Sequence, residues 1–289
     1  MSFSAGRNLR RGDLRTLSIT KVVGGRECPT IGGLLLFGKQ RHEWFPDAVL
    51  EIARFQGITR TEMLDMQTIE DFPALAVDRA LAITSQYTRQ RFVLDGARRV
   101  SEGHVPESAL REALVNAVVH TDYSQKGSRI RVAAYHDRIE IENPGMLPWG
   151  MTIEDMRAGH SKLRNRVIGR VFRELGLIEQ WGTGVQRMIG ACAAAGIAEP
   201  RFEEIGLHFR VTFPFTAAAE LQPSGQSARV LELLRLHGSM STAAIAKELG
   251  RTTRAVRPIL GRLVDAGLLA VVGSGPNDPK RQYRWIKSP

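Results

Sequence analysis

Apolar and polar positions change period several times along the first two thirds of the chain, and each change marks an element. Between residues 109 and 127, Leu110, Leu114, Ala117 and Val118 recur at helical spacing, with Glu112, Asn116 and His120 at i, i+4 and i+8 beside them. In a helix that spacing stacks a carboxylate, a carboxamide and an imidazole on one face next to an apolar stripe. Pro106 and Glu107 suit its entry. Residues 129–135 and 138–142 alternate with period two, which predicts a hairpin turned at His136-Asp137 and ended by Asn143-Pro144-Gly145. A basic loop, 161–165, then opens an amphipathic helix, 167–175. Gly182-Thr183-Gly184 opens a second, 185–195, and 209–213 closes the region as a strand.

Upstream the pattern is less regular. Residues 45–55 alternate well enough for a strand, and about 72–87 reads as a helix with Leu75, Val77, Leu81 and Ile83 as core candidates. The first thirty residues show little periodicity and are expected to be loosely held. Gly33 to Lys39 spells G-x-x-x-x-G-K, but Gln40 replaces the hydroxyl that would hold magnesium, and four bulky apolar residues fill positions that must wrap phosphate with backbone N–H groups. The stretch is better read as a buried helix or strand ending at Gly38.

Downstream, residues 217–227 are small, polar and Pro/Gly-containing, as in a linker. Residues 228–236 are helical; Ser241 is a candidate N-cap for 242–249; Thr252 or Thr253 opens a helix that turns Val256, Leu260, Leu263 and Val264 inward. Strands then start at 267–269 and 282–286. Three helices and a β-hairpin form the layout of a winged helix-turn-helix, whose second motif helix enters the major groove. Arg251, Arg254 and Arg257 would lie on or beside that helix, with Lys280 and Arg281 in the wing. Pro258 inside the helix removes one backbone hydrogen bond. A winged helix used for protein contacts is the alternative.

Charge favours the nucleic-acid reading. The 289 residues carry 40 basic and 30 acidic side chains, a net +10, and +7 of this lies in the last 66 residues (eight Arg and three Lys against four acids). A basic surface of this kind suits a polyanion. Cys28 and Cys192 stand far apart, outside metal-ligand spacing, so no disulfide framework or zinc site is expected. There is no apolar run long enough for a membrane span and no signal-peptide core at the start, so a cytoplasmic protein without membrane attachment is expected.

A Glu one turn from an Asn suits divalent-metal chemistry, because the amide oxygen is a hard-cation ligand and the carboxylate can orient or deprotonate water. The alternative is an amphipathic helix with incidental polar residues. Glu112-x-x-x-Asn116-Ala117 is similar to the N-box of the ATPase superfamily that includes gyrase, MutL and the sensor histidine kinases. More narrowly, REALVNAVVHTDYS, RIEIENPGMLP and RNRVIGRVFRELGLIEQWGTGVQRM, in that order, resemble the divergent ATPase domain of RecG-related transcriptional regulators.

The resemblance implies an α+β fold: a two-layer α/β sandwich of the histidine-kinase ATPase type, followed by the small winged helix-turn-helix. Residues 1–103 would be an α/β connector following a truncated AlbA-like domain, 104–216 the nucleotide-binding domain, 217–227 the linker and 228–289 the DNA-binding domain. It also implies ATP and Mg²⁺ as cofactors, with Asn116 as metal ligand and Glu112 as general base. Asn143 and Gly145 would stand in the adenine box, where relatives carry Asp and Gly, and Gly182, Thr183 and Gly184 would cradle phosphate. His120 is assigned by resemblance alone. The function implied is a bacterial transcriptional regulator, expected to act as a homodimer on double-stranded DNA, with nucleotide gating its binding. Rival readings are a DNA-associated ATPase and a scaffold that has lost its nucleotide. Helicase activity is not expected, because no intact G-x-x-x-x-G-K-[ST] occurs and the motor domains are not part of the resemblance.

Overall fold

The computed structural model describes residues 10–89, 104–178, 182–215, 226–265, 268–272 and 282–285. The chain divides into two compact units, Met1–Ala217 and Ala218–Pro289.

Among the described residues the first unit is built on a six-stranded sheet: β3 (Leu50–Phe55), β4 (Met63–Ile69), β5 (Ile130–Ala134), β6 (Arg138–Pro144), β7 (Arg201–Ile205) and β8 (His208–Pro214), in the order β4-β3-β5-β6-β8-β7. Only β3 and β5 pair in parallel; the other neighbours are antiparallel. Period-two alternation sends Ile52, Ile130, Val132, Ile139, Ile141, Val211 and Phe213 to one face, where they share a core with helices α4 (Pro73–Arg89) and α5 (Glu107–His120). Between these two helices lie residues 90–103, outside the described set. After β6 come α6 (Ile153–Arg157) and α7 (Arg166–Glu174), and α7 adds Ile168, Val171 and Phe172 to the same core.

The opposite face is closed by ion pairs. Cross-strand neighbours Glu51 and Arg131 pair at 3.2 Å, and Glu142 takes Arg210, its register partner on β8, through Nε at 2.9 Å. Buried Glu140 meets Arg138 at 2.7 Å and Arg60 at 3.2 Å. Burial alone would push the Glu140 pKa up; the hydrogen bond from Arg138 and the charges of Arg210 and Arg138 outweigh it, so the carboxyl stays below its usual range.

Several expectations need correction. The first thirty residues are not loose throughout: α1 (Arg11–Thr16) precedes a hairpin of β1 (Thr20–Val23) and β2 (Arg26–Pro29), turned by Gly24-Gly25, both at positive φ. The G-x-x-x-x-G-K stretch needs none: of the two elements expected to end at Gly38 it is the helix, α2 (Ile31–Phe37), with Gly38 at its C-cap and the Thr30 hydroxyl accepting from Gly33 N–H. The strand expected over 45–55 begins only at Leu50, because Phe45 is the C-cap of α3 (Arg41–Trp44) and Pro46 follows it. β4 and β7 have no counterpart among the elements the sequence predicts. Leu75 is 50% exposed, whereas Val77, Leu81 and Ile83 are buried.

The second unit packs the helices Gln226–His237, Thr242–Glu248 and Thr253–Asp265 around Val230, Leu234, Ile245, Val256, Leu260 and Leu263. Ser241 caps the middle helix by accepting from Ala244 N–H, and Gly250 turns the chain at φ +62°. Strands Leu269–Val272 and Gln282–Trp285 pair antiparallel, and a short strand absent from the sequence reading, Ser239–Ser241, adds to the second of them. The third helix runs through Pro258 without a break.

Burial separates two leucines on one helix. Leu81→Ala should lower the stability of the first unit by about 2–5 kcal/mol, whereas Leu75→Ala should stay within about 0.5 kcal/mol of the native protein. Urea unfolding of both variants, followed by circular dichroism, checks this.

Candidate functional site

The polar row of α5 faces a cavity of about 240 Å³. Three sequence-distant stretches supply the predicted residues around it. Glu112, Asn116 and His120 come from α5. Ile141 and Asn143 come from β6, where period two puts Asn143 on the helix-facing side with Ile139 and Ile141. Gly145 to Pro148 follow that strand, and Gly182, Thr183 and Gly184 lie at the start of α8 (Gly184–Ala194). Every residue that the sequence assigned to nucleotide, metal or water activation in this unit therefore lines one cavity.

The ends of the elements are tied together. Asp122 N–H donates to Pro144 O at 2.8 Å, and Gly145 N–H to Leu207 O at 2.8 Å, which holds the C-terminus of α5 against the ends of β6 and β8. Gly145 has φ +104°, and a Cβ there would sit 3.0 Å from that of Asp122, so the turn needs glycine. Arg164 and Asn165, in the basic loop before α7, bind the protein itself. Asn165 Nδ2 donates to Val119 O at 2.9 Å and Thr121 O at 2.7 Å, satisfying carbonyls at the end of α5, while Arg164 binds Met146 O at 2.5 Å and Asp122 at 3.7 Å. Neither lines the cavity.

Inside, Glu112 accepts from Asn116 Nδ2 at 3.2 Å and pairs with Arg187 Nη2 at 2.8 Å. The amide nitrogen of Asn116 is thereby committed and its Oδ1 is the atom left to act as a ligand. Asn143 Nδ2 likewise donates to Pro144 O at 3.1 Å, leaving Oδ1 as its acceptor. The glycines of the 182–184 turn accommodate protein: a Cβ on Gly182 would lie 2.6 Å from Gly159 O, and one on Gly184 would collide with the Glu112 carboxylate.

Cations dominate the lining. Lys162, Arg173 and Arg187 face one carboxylate, Glu112. The Arg173 side chain makes no hydrogen bond or ion pair among the described residues, and its Nε is buried. A half-buried guanidinium without a counter-ion is costly, so the cavity favours an anion. Sequence reasoning missed Arg187, Arg173 and Lys162; of these only Arg187 had a signal, its place one turn into the helix behind the glycines. Among the described residues no three His, Cys, Asp or Glu side chains gather to hold a metal.

His120 is neutral here, since enclosure and the nearby Arg164 push its pKa from 6.5 down to about 4.

In the second unit Arg251, Arg254 and Arg257 are exposed at the start of the third helix. The Arg251 guanidinium also reaches the Gln226 side-chain oxygen at 3.1 Å. Lys280 and Arg281 lie outside the described residues.

Residues 127–213 match the family model described as "Putative ATP-dependent DNA helicase recG C-terminal". That segment is similar to a RecG-C-terminal-like ATPase domain. It spans β5 to β8 and leaves out α5, which carries Glu112 and Asn116. Among solved structures, the DIP2311 protein from Corynebacterium diphtheriae is similar at 18% identity with a TM-score of 0.54, covering 94% of this chain and 63% of that one. This likeness concerns the fold. This chain spans less than two thirds of that structure's length. No curated protein sequence matches. Among the described residues, no helix is long and apolar enough to cross a membrane.

Between about pH 6.5 and about pH 4 the unfolded chain takes up a proton at His120 that the folded chain refuses, so the first unit loses stability as pH falls through that window. His120→Gln should flatten this part of the stability–pH curve, measured by urea midpoints at closely spaced pH values.

Proposed function

We propose that the first unit binds a purine nucleoside triphosphate with magnesium and that the chain is a DNA-binding transcriptional regulator whose DNA affinity responds to that ligand. The observation that carries the nucleotide half is the convergence of Glu112, Asn116, Asn143, Gly145 and the 182–184 turn on one cation-lined cavity. Asn143 Oδ1 would accept from a purine amino group. Asn116 Oδ1 would ligate magnesium held by the phosphates, and Lys162 and Arg173 would neutralise them. Magnesium would supply charge neutralisation along the phosphates, and Glu112, when released from Arg187, is the group placed to take a proton from water. The ATPase-like family match over residues 127–213 supports the same reading.

The DNA half is supported by three helices with a three-stranded sheet, by the +7 charge of the tail and by exposed Arg254 and Arg257 on one helix. In the winged-helix reading that helix enters the major groove, the wing carries Lys280 and Arg281, and two copies of the chain read a two-fold site.

Equilibrium binding of ATP with magnesium should be seen with the native chain and weakened at least about tenfold by Asn116→Ala, which removes one ligand oxygen. Phosphate release in the same tubes separates an ATPase from a sensor that only binds. No binding at millimolar ATP would remove the nucleotide half.

For DNA, Arg254→Ala with Arg257→Ala should weaken binding to specific and random duplexes alike. The slope of log affinity against log salt should fall by about one for each phosphate that the variant no longer neutralises. Unchanged binding would remove the groove assignment.

A further inference from the structure

The Glu112 carboxylate lies against the first residue of α8, in the space that a side chain on Gly184 would fill. α8 is an eleven-residue helix whose N-cap, Thr183, gives no side-chain cap to its first turn. Such a helix end favours a negative charge. Here the protein supplies one of its own, held by Arg187 at 2.8 Å and by Asn116 at 3.2 Å.

We propose that Glu112 is a built-in occupant of the cavity's phosphate seat. Before ligand arrives, its carboxylate lies against the start of α8 and pairs with the Arg187 guanidinium. An incoming phosphate takes over both, and Glu112 is displaced into the cavity. The inference rests on the reading that the cavity takes a phosphate-bearing ligand, and it assigns a specific consequence to it. The two anions compete for the same partners, so the charge of Glu112 opposes ligand binding even if the same group later helps to activate water.

Two further features fit. Gly184 is explained without any ligand, because only a residue lacking Cβ lets the carboxylate approach the helix so closely. Arg187 sits one turn into α8 and lines the cavity, within reach of both the internal carboxylate and a ligand at the helix start. The Arg187 side chain is 45% exposed and that of Glu112 15%, so when the ion pair opens the arginine stays solvated, while the carboxylate depends on the polar lining of the cavity.

The test is calorimetric binding of tripolyphosphate and of ATP, without magnesium, to the native chain and to Glu112→Gln, Glu112→Ala and Arg187→Met. Glu112→Gln should bind tripolyphosphate roughly tenfold more tightly than the native chain, because a like charge has left the seat. Glu112→Ala should shift it in the same direction, and Arg187→Met should weaken it. Unchanged or weaker tripolyphosphate binding by both Glu112 variants, with native-like circular dichroism, overturns the proposal. The nucleotide reading is judged separately in the same experiment. If the Glu112 variants tighten tripolyphosphate but no variant prefers ATP over it, the seat stands and the purine reading falls. If ATP binds natively and the Glu112 variants change neither ligand, the seat falls and the nucleotide reading stands.

Discussion

Burial of one helix fixes where the chemistry can be. Eight of the fourteen residues of α5 are buried, and Leu110 and Leu114 are wholly enclosed between the sheet, α4 and α8. Each such leucine contributes about 1.5–3 kcal/mol through burial, so rotation of α5 about its axis would expose several of them at once. The polar row Glu112, Asn116 and His120 is therefore held in one direction, toward the cavity. Asn165 adds to this by donating twice to carbonyls at the end of α5. The site is rigid on its α5 and β6 walls; the freedom it has lies in long cationic side chains.

The same logic explains the sheet. Helices cover one face, and on the other, carboxylates on β3 and β6 beneath arginines accompany only a small apolar cluster of Phe55, Ala133 and Tyr135. Buried Glu140 and Glu142 would be expensive alone, and removing one of their arginines would leave an uncompensated charge. The network thus keeps β5, β6 and β8 in register, and that register is what carries Asn143 to the cavity side rather than to the ionic face.

Legibility in the sequence followed the strength of the periodic signal. α5 and the 130–144 hairpin were readable because their buried positions recur with an unbroken period, and the cavity's α5 and β6 walls were readable with them. The edge strands β4 and β7 were not. β4 buries only Ile69 and β7 only Phe202, so a strand open to solvent on most positions writes no alternation into its composition. Leu75 misled for the opposite reason, an apolar residue on the exposed side of a helix that was otherwise read correctly. Within the cavity, the glycines and asparagines stood out because their chemistry is restrictive. Lys162, Arg173 and Arg187 did not, since a long cation that lines a cavity and one that waves in solvent look alike in a chain with 40 of them.

A ligand can alter DNA affinity only to the extent that it binds one arrangement of the chain better than another. Moving a two-state equilibrium from mostly off to mostly on needs about 5.5 kcal/mol of differential binding, while coupling in most regulated proteins is about 1–3 kcal/mol. An ion pair such as Glu112–Arg187 is of the right size to set the lower range. Arg187, whose side chain is 45% exposed, exchanges one favourable pairing for another when an anion arrives, and the net difference is small because its charge stays solvated throughout. Arg187 lies on α8, so a change in its partner acts on a helix packed against the core that also holds α5. A graded shift in the arrangement of the first unit, rather than an all-or-none transition, is the response this geometry favours. A regulator built on it would tune occupancy of its DNA site within about a tenfold to hundredfold range.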